Sequence, residues 1–204
     1  PTNITINSGG TLVLAFHNML TAGGNMTINS GTLNLSVYAQ GSGPSVANFN
    51  DATITGGGGF LRGVSTYNFT GNTTWSNSAM DLLTAPTLNV ISGTTTLASA
   101  YNISNGNANV TKSGNGTLVL SAANSYTSAT ILNAGTLNLT GNLSGGTAIT
   151  TSGSSVFTQG SASVISGTSS FTHNSTGTST LAGSNTYTSA TILNAGTLNL
   201  TGNL

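Results

Sequence analysis

The segment Tyr126 to Leu143, YTSATILNAGTLNLTGNL, recurs letter for letter as Tyr187 to Leu204. A chain that repeats itself at a fixed interval folds as an array. Each unit buries its apolar side chains against the next copy and not within itself. The repeat therefore constrains the shape of this molecule before any site is considered.

Four segments share one form: Ile4 to Leu14, Met26 to Leu35, Thr130 to Leu139 and Thr191 to Leu200. Each reads as strand, Asn-x-Gly turn, strand. Leu137 and Leu139 have the parity that places both on one face of a strand, while Thr136, Asn138 and Thr140 point the other way. The predicted core of the repeat is thus Leu118, Leu120, Leu132, Leu137 and Leu139 in the first copy, and Leu193, Leu198 and Leu200 in the second. Asn133 and Gly135, and their equivalents Asn194 and Gly196, mark the turns. Asn can bond its own backbone there, and Gly can take positive φ without a Cβ clash.

Spacing selects among all-β architectures. Gly116 and Gly135 each precede a Thr-Leu-x-Leu strand, and the interval between them returns between Gly177 and Gly196. That interval, about 20 residues per coil, suits a parallel β-solenoid, in which the rest of each coil supplies the crossover that parallel strands need. The duplication then spans roughly three coils, and the whole chain about ten, spaced ~4.8 Å apart in a rod roughly 50 Å long. A hairpin sandwich is the competing fold, since short strands joined at Asn/Gly turns also suit antiparallel pairing. Stacking has the advantage that like residues ladder, Leu on Leu inside and Asn on Asn at the corners.

The organisation reads as a single solenoid segment, residues 1–204. Residues 1–36 carry strand-turn repeats, 37–105 are irregular coils with a lateral loop, 106–143 hold the first repeat copy and 144–204 the second. In the irregular part Gly56 to Gly59 is followed by Phe60, Arg62, Tyr67, Phe69 and Trp75. A break in a one-dimensional array can mark an added surface feature, and an aromatic cluster covering the core is the plainer alternative.

Charge is nearly absent. Two basic and two acidic residues give a net charge of 0, and charged residues reach 2% against about 25% in ordinary domains. Two isolated cations, Arg62 and Lys112, cannot supply the clustered phosphate contacts that nucleic-acid binding needs, nor hold an anionic membrane surface. Without cysteine there is neither a disulfide framework nor thiolate ligation of a metal. No apolar run approaches the ~18 residues of a membrane span. The start at Pro1, without a signal-peptide pattern, reads as a processed or excised segment. Gly/Ser-rich chains are often disordered, but here apolar residues reach 36% and alternate with Thr and Asn.

The run Lys112 to Thr130, KSGNGTLVLSAANSYTSAT, continued by Asn133 to Leu137, resembles the autotransporter-associated β-strand repeat of bacterial passenger domains. The family pattern is roughly G-x-G-T-L-x-L-x-G-x-N-x-Y-x-G-x-T followed by N-x-G-x-L. Ala122 and Ser128 stand where glycines are usual; the second copy restores Gly183 but has Ser179 where Leu118 stood. The resemblance implies a right-handed parallel β-helix exported to the bacterial cell surface or beyond, serving as stalk, adhesin or matrix fibre. It carries no catalytic residues and no cofactor.

The chemistry-bearing residues are few. Asp51 and Asp81 are the only acids, and a pair at defined separation is what a glycan-cleaving β-helix would need. His17 and His173 read as polar surface or corner residues, and neither has the neighbours of a metal site. Serine lacks a nucleophile elbow, and the glycine run lacks the GK[ST] tail of a phosphate loop. Catalytic, metal and cofactor sites are therefore expected to be absent. The leading reading is a non-enzymatic extracellular scaffold whose partners are neighbouring coils or identical subunits end to end. A second is an adhesin that stacks cell-surface or matrix glycans on Tyr67, Phe69 and Trp75. A third is ice binding through outward Thr-x-Thr pairs such as Thr94 and Thr96, and a polysaccharide-active enzyme comes last.

Overall fold

A computed structural model describes residues 3–15, 23–36, 44–61, 63–76, 79–81, 85–98, 103–104 and 109–204. Those residues form strands and turns without a helix. The strands fall into two long sheets of ten and a short one of three, and successive strands of each sheet come from successive coils. The first coil contributes Ile4–Ile6 to the first sheet and Thr11–Leu14 to the second; the last contributes Thr191–Leu193 and Thr197–Leu200. Strand neighbours pair in parallel throughout, as in Leu118↔Leu137 and Leu120↔Leu139, so the molecule is a β-solenoid and not a hairpin sandwich.

One inward column can be followed from end to end: Ile4, Met26, Ala47, Tyr67, Leu88, Lys112, Leu132, Thr151, His173, Leu193. Successive members of this column are separated by one full coil, so the period read from the glycines is the pitch of the solenoid. In the second sheet the matching column is Leu12, Leu33, Ile54, Trp75, Leu97, Leu120, Leu139. Alternation along each strand is what turns these columns inward.

Between the two sheets the chain turns through a corner, and at nine of the ten corners one residue takes positive φ. Gly9, Ser30, Asp51, Gly71, Gly93, Gly114, Gly135, Gly153 and Gly196 all do so. At Gly135, φ is 66° and a Cβ would lie 2.5 Å from the carbonyl oxygens of Gly114 and Gly116 in the coil before. Coils can stack at strand spacing here only because no side chain intervenes.

The repeat copies fare differently despite their identity. Leu118, Leu120, Leu132, Leu137 and Leu139 are at most 1% exposed, whereas Leu193 is 52% and Leu200 50% exposed, and Leu198 is only partly buried. The leucines of the second copy stand in the same inward columns as those of the first, Leu193 after His173 and Leu200 after Leu181. The strand Thr136–Leu139 has a coil on each side, Thr117–Leu120 and Val156–Gln159, while Thr197–Leu200 has only Thr178–Leu181.

The middle of the chain is more regular than its sequence. Both long sheets run through it without a break, by way of Val46–Asn50, Thr66–Thr70 and Thr87–Val90 in the first and Thr53–Gly56, Thr73–Trp75 and Thr94–Leu97 in the second. The extra residues between coils form the third sheet, Phe60–Leu61, Ala79–Asp81 and Ile103–Ser104, again parallel. A coil tolerates such insertions because only its strand positions must keep register with the neighbours.

Candidate functional site

The aromatic residues proposed as a sugar platform lie inside the solenoid. Tyr67, Phe69 and Trp75 are each at most 1% exposed. Phe49 stacks on Phe69 at 5.6 Å, and Trp75 meets Phe49 and Tyr67 edge-on at 5.7 and 5.9 Å. The Tyr67 hydroxyl donates to the Leu61 carbonyl at 3.0 Å. A glycan has no face on which to stack here, so these residues are corrected from binding site to core. Parity explains it: Ala47/Phe49 and Tyr67/Phe69 occupy the same inward positions as the leucines.

Polar residues enter the interior by the same route. Lys112 shares parity with Val110 and is fully buried. Its ammonium donates to the carbonyls of Ser113 at 2.7 Å, Gly114 at 2.8 Å and Ala134 at 3.1 Å, tying the corners of two successive coils. Burial lowers its pKa from 10.5 to about 8. His173 shares parity with Phe171 and is likewise fully buried, which corrects the reading of a surface residue. The Gly177 carbonyl can only accept, so His173 Nε2 carries the proton donated to it at 3.1 Å; Nδ1 then accepts from the Thr151 hydroxyl at 2.7 Å.

Further along, Gln159 and Asn185 interlock. Gln159 Nε2 donates to Asn185 Oδ1 at 2.6 Å, Asn185 Nδ2 returns a bond to Gln159 Oε1 at 3.1 Å, and Asn185 Oδ1 also accepts the Ile165 amide at 2.9 Å. Tyr126 donates or accepts at Thr130 over 2.8 Å, and burial pushes its phenol up to about 12. These groups bond one another and the coil backbone. They rigidify a polar core and leave no converging set aimed at a substrate.

Of the remaining candidates, Asp51 alone has a described side chain. Asp51 is exposed at a corner, where its Oδ1 accepts the Asn72 amide at 2.8 Å. His17, Arg62 and the side chain of Asp81 lie outside the described residues. Among the described residues no three His, Asp or Glu converge as metal ligands, and no helix is long and apolar enough to cross a membrane.

Outside, the two long sheets differ. On the first, amides ladder up the rod: Asn48 donates to Thr27 Oγ1 at 3.2 Å, Asn68 to Asn48 at 2.9 Å, Asn89 to Asn68 at 2.9 Å and Ser113 to Asn89 at 3.4 Å. A second row at the corner joins Asn7, Asn29 and Asn50. On the second sheet the outward column is Thr11, Thr32, Thr53, Thr74, Thr96, Val119, Asn138, Thr158, Thr180, Asn199.

The family model of the passenger-associated-transport-repeat matches residues 110–139 and 171–200. Each match spans the strands of two successive coils, Val110–Ser113 to Thr136–Leu139 and Ser170–His173 to Thr197–Leu200. No curated protein and no solved structure matches the chain.

Proposed function

From a β-solenoid that carries the passenger-associated-transport-repeat twice, we propose that this chain is a rigid scaffold segment of a passenger displayed at or beyond a bacterial cell surface. The carrying observation is the unbroken register of ten strand levels in both long sheets. Nine steps at ~4.8 Å give a strand stack about 43 Å long. Each coil is bound to the next by backbone bonds, such as Thr136 N to Gly116 O at 3.2 Å and Val156 N to Gly135 O at 2.9 Å, so bending the rod means breaking several bonds together. A neutral, cysteine-free surface of Thr, Asn and Ser suits a stalk that must stay soluble without depending on redox state or salt.

The stack of like coils supports neighbouring coils, of the same polypeptide or of identical subunits, as the partners of this segment. The passenger repeat supports a structural role over an enzymatic one. Small-angle scattering on the purified chain tests the scaffold reading. An elongated distance distribution fitting a rod of that length is expected, and a compact globular profile overturns it.

A further inference from the structure

We propose that the outward face of the second long sheet binds ice. Its central column carries threonine on five consecutive coils, Thr11, Thr32, Thr53, Thr74 and Thr96. Thr158 and Thr180 resume the row beyond Val119 and Asn138. A parallel column alongside it adds Thr94, Thr117 and Thr136. Thr11, Thr53 and Thr74 are exposed and the other threonines of the central column half-buried.

The spacing is set by the fold. Neighbouring strands hold the side chains ~4.8 Å apart along the rod, and residues two apart on one strand lie about 7 Å apart across it. Threonine is β-branched and stiff at χ1, so hydroxyl and methyl stay in place without the entropy loss that longer side chains suffer on binding. Register holds along the whole column, which gives a row of threonine hydroxyl and methyl groups, doubled where Thr94 stands beside Thr96 and Thr178 beside Thr180.

The first long sheet offers no threonine row of that length. Its Asn48, Asn68 and Asn89 amides are engaged with one another, and its neighbouring column Val46, Thr66, Thr87, Thr111, Ile131, Thr150, Thr172, Ile192 carries at most three threonines in succession against five on the second sheet. By contrast, the hydroxyls of the central threonine column of the second sheet make no hydrogen bond to other described residues and are free to bond water.

The chemistry of the face selects its partner. These columns hold no charge and no aromatic ring, so an ionic surface gains no attraction there and a sugar finds nothing to stack on. A repeating array of weak hydrogen-bonding sites, each too weak alone, binds when the partner repeats as well. Crystalline water is such a partner: its surface presents donors and acceptors at fixed intervals, and the threonine methyls order the water between them.

The test is inhibition of ice recrystallisation by the whole chain at micromolar concentration, scored with variants checked for unchanged far-ultraviolet circular dichroism. The wild type and Thr150→Lys/Thr172→Lys, altered on the first sheet, are expected to inhibit. Thr74→Lys/Thr96→Lys, which raises two long cations from the row, is expected to lose inhibition. Should that variant misfold, Thr74→Tyr is the second probe, with the same expected loss. Growth of crystals unaffected by the wild type overturns the proposal, as does equal loss in the first-sheet variant or binding of the protein to crystalline cellulose alone. Because scattering reads the rod and this assay reads one face of it, failure of either leaves the other standing.

Discussion

Leu139 and Leu200 sit in identical local sequence, Ala-Gly-Thr-Leu-Asn-Leu, and differ only in what is stacked on them. Truncating each to alanine isolates the contribution of coil stacking. Leu139 is 1% exposed and lies between Leu120 and Gln159 of the adjoining coils. Loss of its side chain removes a buried leucine and leaves a cavity walled on both sides, a cost of about 2–5 kcal/mol. Leu200 is 50% exposed and has Leu181 on one side only. Half of its transfer free energy, itself about 1.5–3 kcal/mol for a leucine, was never gained, and an open side forms no cavity, so Leu200→Ala should cost about 1 kcal/mol. Urea titration followed by circular dichroism gives the comparison, with native-state hydrogen exchange at Asn138 and Asn199 to detect a solenoid that opens by segments. Equal losses for the two variants, or a greater loss at Leu200, would refute the claim that burial in this repeat comes from the neighbouring coil.

Gly135→Ala should destabilise by at least about 1–2 kcal/mol because its backbone is left-handed and the added methyl meets two carbonyl oxygens; Ser30→Gly, at φ 48° on the equivalent corner, should stabilise by up to about 1 kcal/mol, both read as shifts in the urea midpoint. Thr73→Val and Thr95→Val should each raise stability by about 1 kcal/mol, since both hydroxyls are buried without a hydrogen-bond partner and lie side by side in adjoining strands. Stability should rise with pH above about 8: Lys112 has a lowered folded-state pKa, so between about 8 and 10.5 the unfolded chain binds more protons than the folded one. Above about pH 10 Tyr126 opposes this rise, because its folded-state pKa is raised and the unfolded phenol ionises first, which favours the unfolded chain. Thermal melts across pH 7–10 should show the rise in the wild type and lose it in Lys112→Met.

The repeat, the alternation and the Asn-x-Gly corners were legible in sequence because each is local: a fixed period, a parity of two, and a glycine where a Cβ would strike the coil below. They determined that the chain coils, how long each coil is, and which face of each strand turns inward. Read strictly, the same parity would also have placed Lys112 beside Val110, His173 beside Phe171 and Tyr67 beside Phe69 in the interior. The usual association of charge with surface, and of aromatic clusters with binding, obscured that signal.

Only the tertiary structure decided what each inward residue meets. Whether Lys112 finds three carbonyls, whether Thr151 stands opposite His173, and whether a leucine of the repeat is sealed or half in water all depend on the register between one coil and the next. Two identical stretches of chain therefore acquire different environments. Burial in a solenoid belongs to the stack, since the atoms that cover a side chain come from the coils above and below it.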